Sequence, residues 1–460
     1  MACPWKDRLR ARLPLIGLIG ILAGISGCVE AASVEFSIRA LEAENPLIGA
    51  SSLALGLERA GVFLSETEAI YAPDAPYFEL PRVPLGEDYR FRVGIYDGTI
   101  LLARARSFSF SVDELGIDGS PDLFVAPLGV FAERQLRFPG TPRIAIRSPM
   151  GLIAVLDDGS VAHVRVNEDE PLDVILPAGA ALEAWPIGER LVIRIGEDRL
   201  ALLGRSGIVD ILQDRRLRHH LSAQSIFDED GGELYLIGGS RGSRRISRLV
   251  IGDEGFLDIA SLSPLSSARQ GSRAFLLRAL DGSKHAVVIG GLDEEGAFRD
   301  DLLLLDFRGG QHRTLTPPEG CSFYGAAVIP GAYLQLLVIG GRAGDAVRAD
   351  VQLLVLNPRD EPRLELVSPS PASLHIARER ADSLHWSSGL YLIYGGNDAE
   401  GNYIRRAEIV DLRQIPGSTA PTGLLPKELE PTIALILGDG SIFMSDGERS
   451  AGYTPPRAYD

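Results

Sequence analysis

Six arginines are the side chains of this sequence best suited by type and number to do chemistry. Arg215, Arg216 and Arg218 fall in one polar stretch, and Arg241, Arg244 and Arg245 in another. A guanidinium is a planar fork of donors that holds a carboxylate or phosphate in two-point contact, so a cluster of them predicts an anion site for acidic glycan, phosphate or an acidic protein. The competing expectation is a set of solvated loop arginines paired with Asp214 and neighbouring acids. His219-His220 is the one adjacent histidine pair, but a metal site needs further ligands and spacing identifies none, so the pair is expected in a solvated loop. Asp228, Glu229 and Asp230 precede Gly231-Gly232 without the spacing of a calcium loop, and they read as an acidic turn between two strands. No catalytic set, metal site or cofactor is assigned from these residues.

The elements that position the arginines are marked by glycine pairs. The apolar run 234–237 closes with Gly238-Gly239, and the same pattern returns at 286–289 with Gly290-Gly291, at 336–339 with Gly340-Gly341 and at 390–394 with Gly395-Gly396. The pairs start 52, 50 and 55 residues apart, a period that predicts a repeat architecture. After each pair comes a polar loop and then a second apolar run such as 301–307 or 350–356, which makes a hairpin in the middle of a small sheet. Glycines at a strand end permit backbone angles and close approaches that a side chain forbids. Weaker hairpins at 152–166, 191–203 and 432–444 bring the count to seven blades of a β-propeller spanning 140–460. Six remain possible if the first and last hairpins share one blade through closure between the termini. A ring of blades leaves only short, protected edges. In such a ring the loop joining two blades shares a face with the loop after the glycine pair, which would bring the two arginine stretches together.

Ahead of the propeller, residues 33–132 alternate as short strands. Tyr89, Phe91, Val93 and Ile95 alternate with Arg90, Arg92, Gly94 and Tyr96, and Asp97-Gly98 is expected to turn the chain into 99–103. Further strands are expected at 33–39, 52–57, 69–72 and 122–126. The spacing predicts an immunoglobulin-like β-sandwich serving as a spacer or stalk, with carbohydrate binding as the sharper expectation.

Residues 1–27 have a basic start at Lys6, Arg8, Arg10 and Arg12 and an apolar run, 13–25, too short to span a bilayer, which predicts a signal peptide. The run ends in Ile25-Ser26-Gly27-Cys28, which resembles the bacterial lipobox. That resemblance implies cleavage before Cys28, a lipid on Cys28, a lipidated linker at 28–32 and a membrane partner through the anchor. The same resemblance to lipoproteins implies, from Val29 rather than Asp after the lipidated position, the outer membrane of the bacterial cell envelope. Of three cysteines, Cys3 leaves with the signal and Cys28 takes lipid, so Cys321 alone remains and no intramolecular disulfide forms. With 45% hydrophobic residues the chain has ample material for two cores. Removing four basic residues and one acidic residue with the signal takes the net charge from -16 to -19, which argues against nucleic acid as a partner.

Residues 219–413 resemble kelch repeats. Besides the glycine pairs, Arg269 and Arg378, each preceded by alanine, stand 21 and 17 residues before Gly290 and Gly395, where kelch blades often carry an arginine ahead of the innermost strand. The aromatic part of the signature is eroded, because no tryptophan follows the second runs. Among kelch-type activities, a galactose-oxidase-like copper site needs tyrosines, histidines and a cysteine crosslinked to tyrosine. This chain has no Tyr-His dipeptide, and Cys321 near Tyr324 reads as a small buried hydrophobe opening the apolar strand 321–328. Sialic-acid-processing propellers use dispersed residues that no short motif reveals. The sequence therefore predicts a lipid-anchored binding or scaffold protein offering propeller loops to a protein or glycan, with a carbohydrate-active enzyme as the alternative.

Overall fold

The computed structural model describes residues 9–10, 31–32, 37–40, 46–72, 83–107, 110–113, 116–119, 123–129, 131–133, 142–148, 151–156, 161–164, 171–172, 181–187, 190–204, 207–239, 242–307, 311–358, 361–387, 389–413, 417–437, 441–446 and 449–454. Among them the chain is all-β, without an α-helix, and seven four-stranded sheets are formed. Two compact units result. One holds 1–153, 163–172 and 431–460, and the other holds 154–162 and 173–430.

The second unit is a series of four-stranded antiparallel meanders. Gln224–Asp228, Glu233–Ile237, Ile246–Gly252 and Gly255–Leu262 pair in chain order, and so do Arg273–Arg278, Lys284–Ile289, Leu302–Leu305 and Arg313–Leu315. Each apolar run that ends in a glycine pair is a second strand, as expected. These runs are continuously apolar because both faces are covered. Leu234 and Leu236 pack with Val192, Leu200 and Leu202 of the preceding sheet, whereas Tyr235 and Ile237 pack with Ala286, Val288 and Leu303 of the following one. Two further clusters repeat the pattern, with Val287 and Ile289 against Val338 and Leu354 and Leu337 and Ile339 against Tyr391 and Ile393. The first strands of consecutive sheets, Gln224–Asp228, Arg273–Arg278, Ala327–Pro330 and Asp382–Ser387, stand next to one another. That is propeller-like stacking with the first strand innermost.

The glycine pairs have a common geometry. The first glycine of each has φ between +63° and +67° at Gly238, Gly290, Gly340 and Gly395, the left-handed region that a side chain disfavours. The N–H of Gly238, Gly290 and Gly340 donates to the carbonyl of Arg245, Asp301 and Asp350, where the chain returns into the third strand. The second glycine lets another loop press against it, since a Cβ on Gly239 would lie 2.6 Å from the His219 carbonyl oxygen and one on Gly396 would lie 2.5 Å from that of Glu379.

In the first unit the strand Gly86–Asp97 alternates as expected, with Tyr89, Phe91, Val93 and Ile95 buried. It pairs with Ser52–Arg59 on one side and with Ile100–Arg106 and Phe110–Asp113 on the other. The hairpin turn lies one residue later than expected, because Asp97 pairs with Ile100 and the two-residue loop is Gly98-Thr99, with Gly98 at φ +57°. Leu123–Pro127 joins Ile100–Arg106 to Ser37–Ala40, so these strands, with Val62–Tyr71, Gly116–Gly119 and Leu9–Arg10, form one hydrogen-bonded nine-stranded sheet. The strand Phe131–Glu133, which its position in sequence assigns to the end of this region, instead completes a four-stranded sheet with Ser450–Tyr453, Ile442–Ser445 and Ile433–Ile436. The Phe131 and Tyr453 rings lie 4.7 Å apart, centre to centre.

Candidate functional site

The first arginine stretch is a single 3-10 turn, Arg215–His219, capped by Asp214, whose carboxylate accepts the Arg216 backbone N–H at 2.8 Å. It leads into the innermost strand Gln224–Asp228, so it lies at the end of the sheet that carries Gly238-Gly239. The two loops meet there. His220 Nδ1 is 3.0 Å from the Gly238 carbonyl, and the Gly239 backbone lies against the carbonyls of His219 and Leu221. The turn that carries Arg215, Arg216 and Arg218 thus touches the glycine pair that precedes Arg244 and Arg245.

The side chains divide into two groups. Arg216 forks onto Asp214, with Nε to Oδ1 at 2.9 Å and Nη2 to Oδ2 at 2.6 Å, and this hydrogen bonding holds the Asp214 carboxyl below its ordinary range. Arg218 reaches Asp198 at 2.9 Å, and Arg244 lies 3.8 Å from Glu294 while donating to the Ser266 carbonyl at 3.2 Å. Arg215 and Arg245 are exposed. After burial, the Arg245 charge is the second influence that lowers the His219 pKa, which places that guanidinium's field over the turn. Arg241 lies outside the described residues, and so does Cys28.

Beneath the loops His220 corrects the expectation of a solvated pair, for it is fully buried while His219 stays exposed. A carbonyl only accepts, so Nδ1 carries the proton and Nε2 accepts from the Ser247 hydroxyl at 2.8 Å. Burial pushes the His220 pKa down to about 4, and the Arg194, His219 and Arg245 charges add to that effect. A hydroxyl bonded to an imidazole is the pairing of a nucleophile and its base, but Ser247 is 2% exposed and no substrate can reach it. Its role is that of Arg269 and Arg378 in the neighbouring sheets. Arg269 donates to the Gly290 carbonyl at 3.2 Å and pairs with Asp301. Arg378 donates to the Gly395 carbonyl at 3.2 Å and pairs with Glu408 at 2.7 Å. In each, a buried side chain ties the first glycine's carbonyl to the third strand. Spacing did not single out His220, since His219 and His220 stand 19 and 18 residues before Gly238, both between the spacings of 17 and 21 shown by the two arginines. Two aromatics were missed in the same way. Phe298 and Tyr403, each seven residues after the second glycine, lie over Gly290 and Gly395, where a Cβ would be 3.3 Å and 3.1 Å from the ring and the hydroxyl.

The remaining candidates have local partners. Asp228 and Asp230 form the acidic turn expected, between Gln224–Asp228 and Glu233–Ile237, and both bind Lys284, with Arg278 on Asp230 at 2.8 Å. These contacts, led by Lys284, draw the exposed Asp230 carboxyl down to about 2. Among the described residues no group of three or more His, Cys, Asp and Glu could hold a metal ion. The strand expected at 321–328 begins only at Ala327, because Cys321 to Ala326 form turns. Cys321 is half-buried, its Sγ lies 2.5 Å from Gln352 Oε1, and burial raises its pKa to about 11, which leaves a thiol rather than a nucleophilic thiolate. Tyr324 packs edge-on against Phe298, at 4.8 Å between ring centres.

No family model matches the chain, and no curated protein matches it. Among solved structures it is similar to a fungal alcohol oxidase of the AA5 family in complex with copper, at 14% identity over 71% of this chain and 76% of that one, with a TM-score of 0.37. It is also similar to the WD40 domain of Pan2 from Neurospora crassa, at 10% identity over 70% of this chain and 91% of that one, with a TM-score of 0.44. At those scores neither likeness carries an argument about activity, and the propeller-like stacking stands on the chain's own sheets.

Proposed function

We propose that this is a lipid-anchored binding or scaffold protein of the bacterial cell envelope, with an immunoglobulin-like spacer ahead of Phe131 and a ring of seven kelch-type blades. In this reading the loops around Gly238-Gly239 offer a face to an anionic glycan or protein. The observation that carries it is the pair of exposed guanidiniums, Arg215 and Arg245, on two loops that touch through His220 and Gly239. Arg216, Arg218 and Arg244 are engaged with carboxylates and frame the face. Arg241 is assigned to it by sequence position. Support for the anchor comes from the basic start, the apolar run and Cys28.

Two experiments test the reading. Replacing Arg215, Arg241 and Arg245 by Ala together should move elution from phosphocellulose to lower salt, because exposed charges are screened over roughly 8 Å at physiological ionic strength. Unchanged retention with an unchanged salt dependence would assign the arginines to solvent alone. Cys28→Ser should release the protein from the membrane fraction or leave its signal uncleaved. A variant that still pellets after normal processing would remove the anchor from the proposal.

A further inference from the structure

The sheet that carries Gly238-Gly239 has opposite charge at its two ends. Its strands Gln224–Asp228, Glu233–Ile237, Ile246–Gly252 and Gly255–Leu262 pair so that Gln224, Ile237, Ile246 and Leu262 share one end, next to the arginine loops. Asp228, Glu233 and Val250 share the other, with the turns 229–232 and 253–254 beyond them. A β-sheet has little dipole of its own, so this polarity comes from side chains. The five residues of Glu233–Ile237, at about 3.3 Å each, hold the ends roughly 17 Å apart. That exceeds the screening length of roughly 8 Å at physiological ionic strength, so neither end neutralises the other within one chain.

Pairing within the chain leaves a remainder at each end. At the arginine end Arg216, Arg218 and Arg244 meet Asp214, Asp198 and Glu294. Arg215 and Arg245 are exposed, and among the described residues neither guanidinium has a partner. Five guanidiniums against three carboxylates leave +2. At the other end Lys284 binds Asp228 and Asp230, Arg278 binds Asp230, and Arg248 lies 3.4 Å from Glu233 and 3.6 Å from Asp258. Glu229, Asp253 and Glu254 are exposed beside them, and among the described residues no cation pairs with these three. Arg190 donates to the Gly252 carbonyl at 2.9 Å, so seven carboxylates against four cations leave -3. Each end also exposes a leucine. The Leu221 carbonyl lies against Gly239, and the Leu257 side chain lies over Gly252.

We propose that copies of this chain associate head to tail, the arginine end of this sheet on one copy docking against the acidic end of the same sheet on the next. The inference rests on the arginine face of the reading above and names its partner as a second copy. The two remainders are opposite in sign, nearly equal and too far apart to answer each other within one chain. A second copy presents the complement wherever the protein itself is present. Arg215 and Arg245 face Glu229, Asp253 and Glu254 in this contact as guanidinium–carboxylate pairs, with Leu221 and Leu257 as its apolar part. Unlike ends meet, so the contact is heterologous and repeats along a row of copies instead of closing a two-fold dimer. Exposed ion pairs are individually weak and screened by salt, which makes the association depend on both concentration and ionic strength.

Sedimentation velocity of the full chain tests this. At about 0.1 M salt a screening length of roughly 10 Å damps repulsion between whole molecules and spares groups in contact, so association should rise with protein concentration. At about 1 M salt, where screening acts within roughly 3 Å, it should vanish. Glu229→Lys with Asp253→Lys and Glu254→Lys should weaken self-association at least tenfold, while the protein holds phosphocellulose no less firmly. Arg215→Glu with Arg245→Glu should weaken both. Mixing the two variants should restore association, because each offers ends of the sign that the other lacks, and two misfolded variants would not complement each other. A full chain that stays monomeric at every concentration at about 0.1 M salt overturns the proposal, and if it still holds phosphocellulose through Arg215 and Arg245, a foreign anion is their occupant. Association that persists in the acidic-end variant overturns it too. Failure of the arginine reading is a separate result, seen as unchanged phosphocellulose elution when Arg215, Arg241 and Arg245 are replaced by Ala. The salt and concentration arms need no variant, so misfolding of a variant leaves the proposal open to refutation.

Discussion

His220 shows how one buried side chain sets a measurable property. Its pKa is near 4 in the folded chain and about 6.5 in an unfolded one. Between those values the unfolded chain binds a proton that the folded chain refuses, so the stability this residue contributes is complete above pH 6.5 and is lost as the pH falls toward 4. The loss is on the order of 3 kcal/mol across the window. Denaturant midpoints measured at pH 7, 6 and 5 should therefore fall more steeply for the natural chain than for His220→Gln, which cannot titrate. Parallel slopes would show that the imidazole is not held neutral by burial. Arg378 and Glu408 do the same tying in another sheet with full charges. Both are buried, and the Glu408 carboxylate also accepts the backbone N–H groups of His375 and Ile376 at 2.6 Å and 3.1 Å, which answers the cost of removing a carboxylate from water.

At the scale of the element, the glycine pair acts as a joint where a strand end, a hairpin loop and the loop that feeds the innermost strand come together. Conformation and space contribute separately, and two glycines of one sheet separate them. Gly396 and Gly401 have similar backbones, φ +79° and +84°, but a Cβ on Gly401 meets nothing within 4 Å whereas one on Gly396 would lie 2.5 Å from the Glu379 carbonyl oxygen and 2.9 Å from the Ala381 nitrogen. Gly401→Ala should cost only the left-handed penalty, roughly 1–2 kcal/mol. Gly396→Ala should cost clearly more, because backbone rather than a movable side chain must shift. Thermal melting of the two variants checks this, and equal destabilisation would remove close approach as the reason for the second glycine.

At the scale of the molecule, two segments far apart in sequence share a sheet. Phe131–Glu133 adds to Ser450–Tyr453, and the Gly129 N–H donates to the Thr454 carbonyl at 2.9 Å. An unpaired strand edge invites association with other chains, and this pairing covers the outer edge of the last sheet. Deleting residues 447–460 should leave Phe131–Glu133 without a partner and Ile442–Ser445 paired with Ile433–Ile436 alone, lower the melting temperature and promote aggregation visible by size-exclusion chromatography. A monomeric deletion variant that melts like the full chain would show that the pairing contributes nothing to stability.

The sequence by itself determined the all-β class, the second strands and the turns between them, because these follow from local rules. Apolar runs that end in Gly-Gly need only neighbours on both faces and a left-handed residue at the end, and alternation from Tyr89 to Ile95 needs only one buried face. It also marked Arg269 and Arg378 by their distance from the glycines. Tertiary structure decided what depends on which groups become neighbours. His220 was indistinguishable from His219 as a sequence neighbour until packing put one under the Gly238 carbonyl and the other in solvent. Asp214 was expected as an arginine partner and pairs with Arg216, but Arg218 and Arg244 found carboxylates at Asp198 and Glu294 that no spacing rule selects, leaving Arg215 and Arg245 exposed. The strand Phe131–Glu133 joined the far end of the chain. Charge pairing and strand pairing act through distances in space, and separation along the chain does not encode those distances.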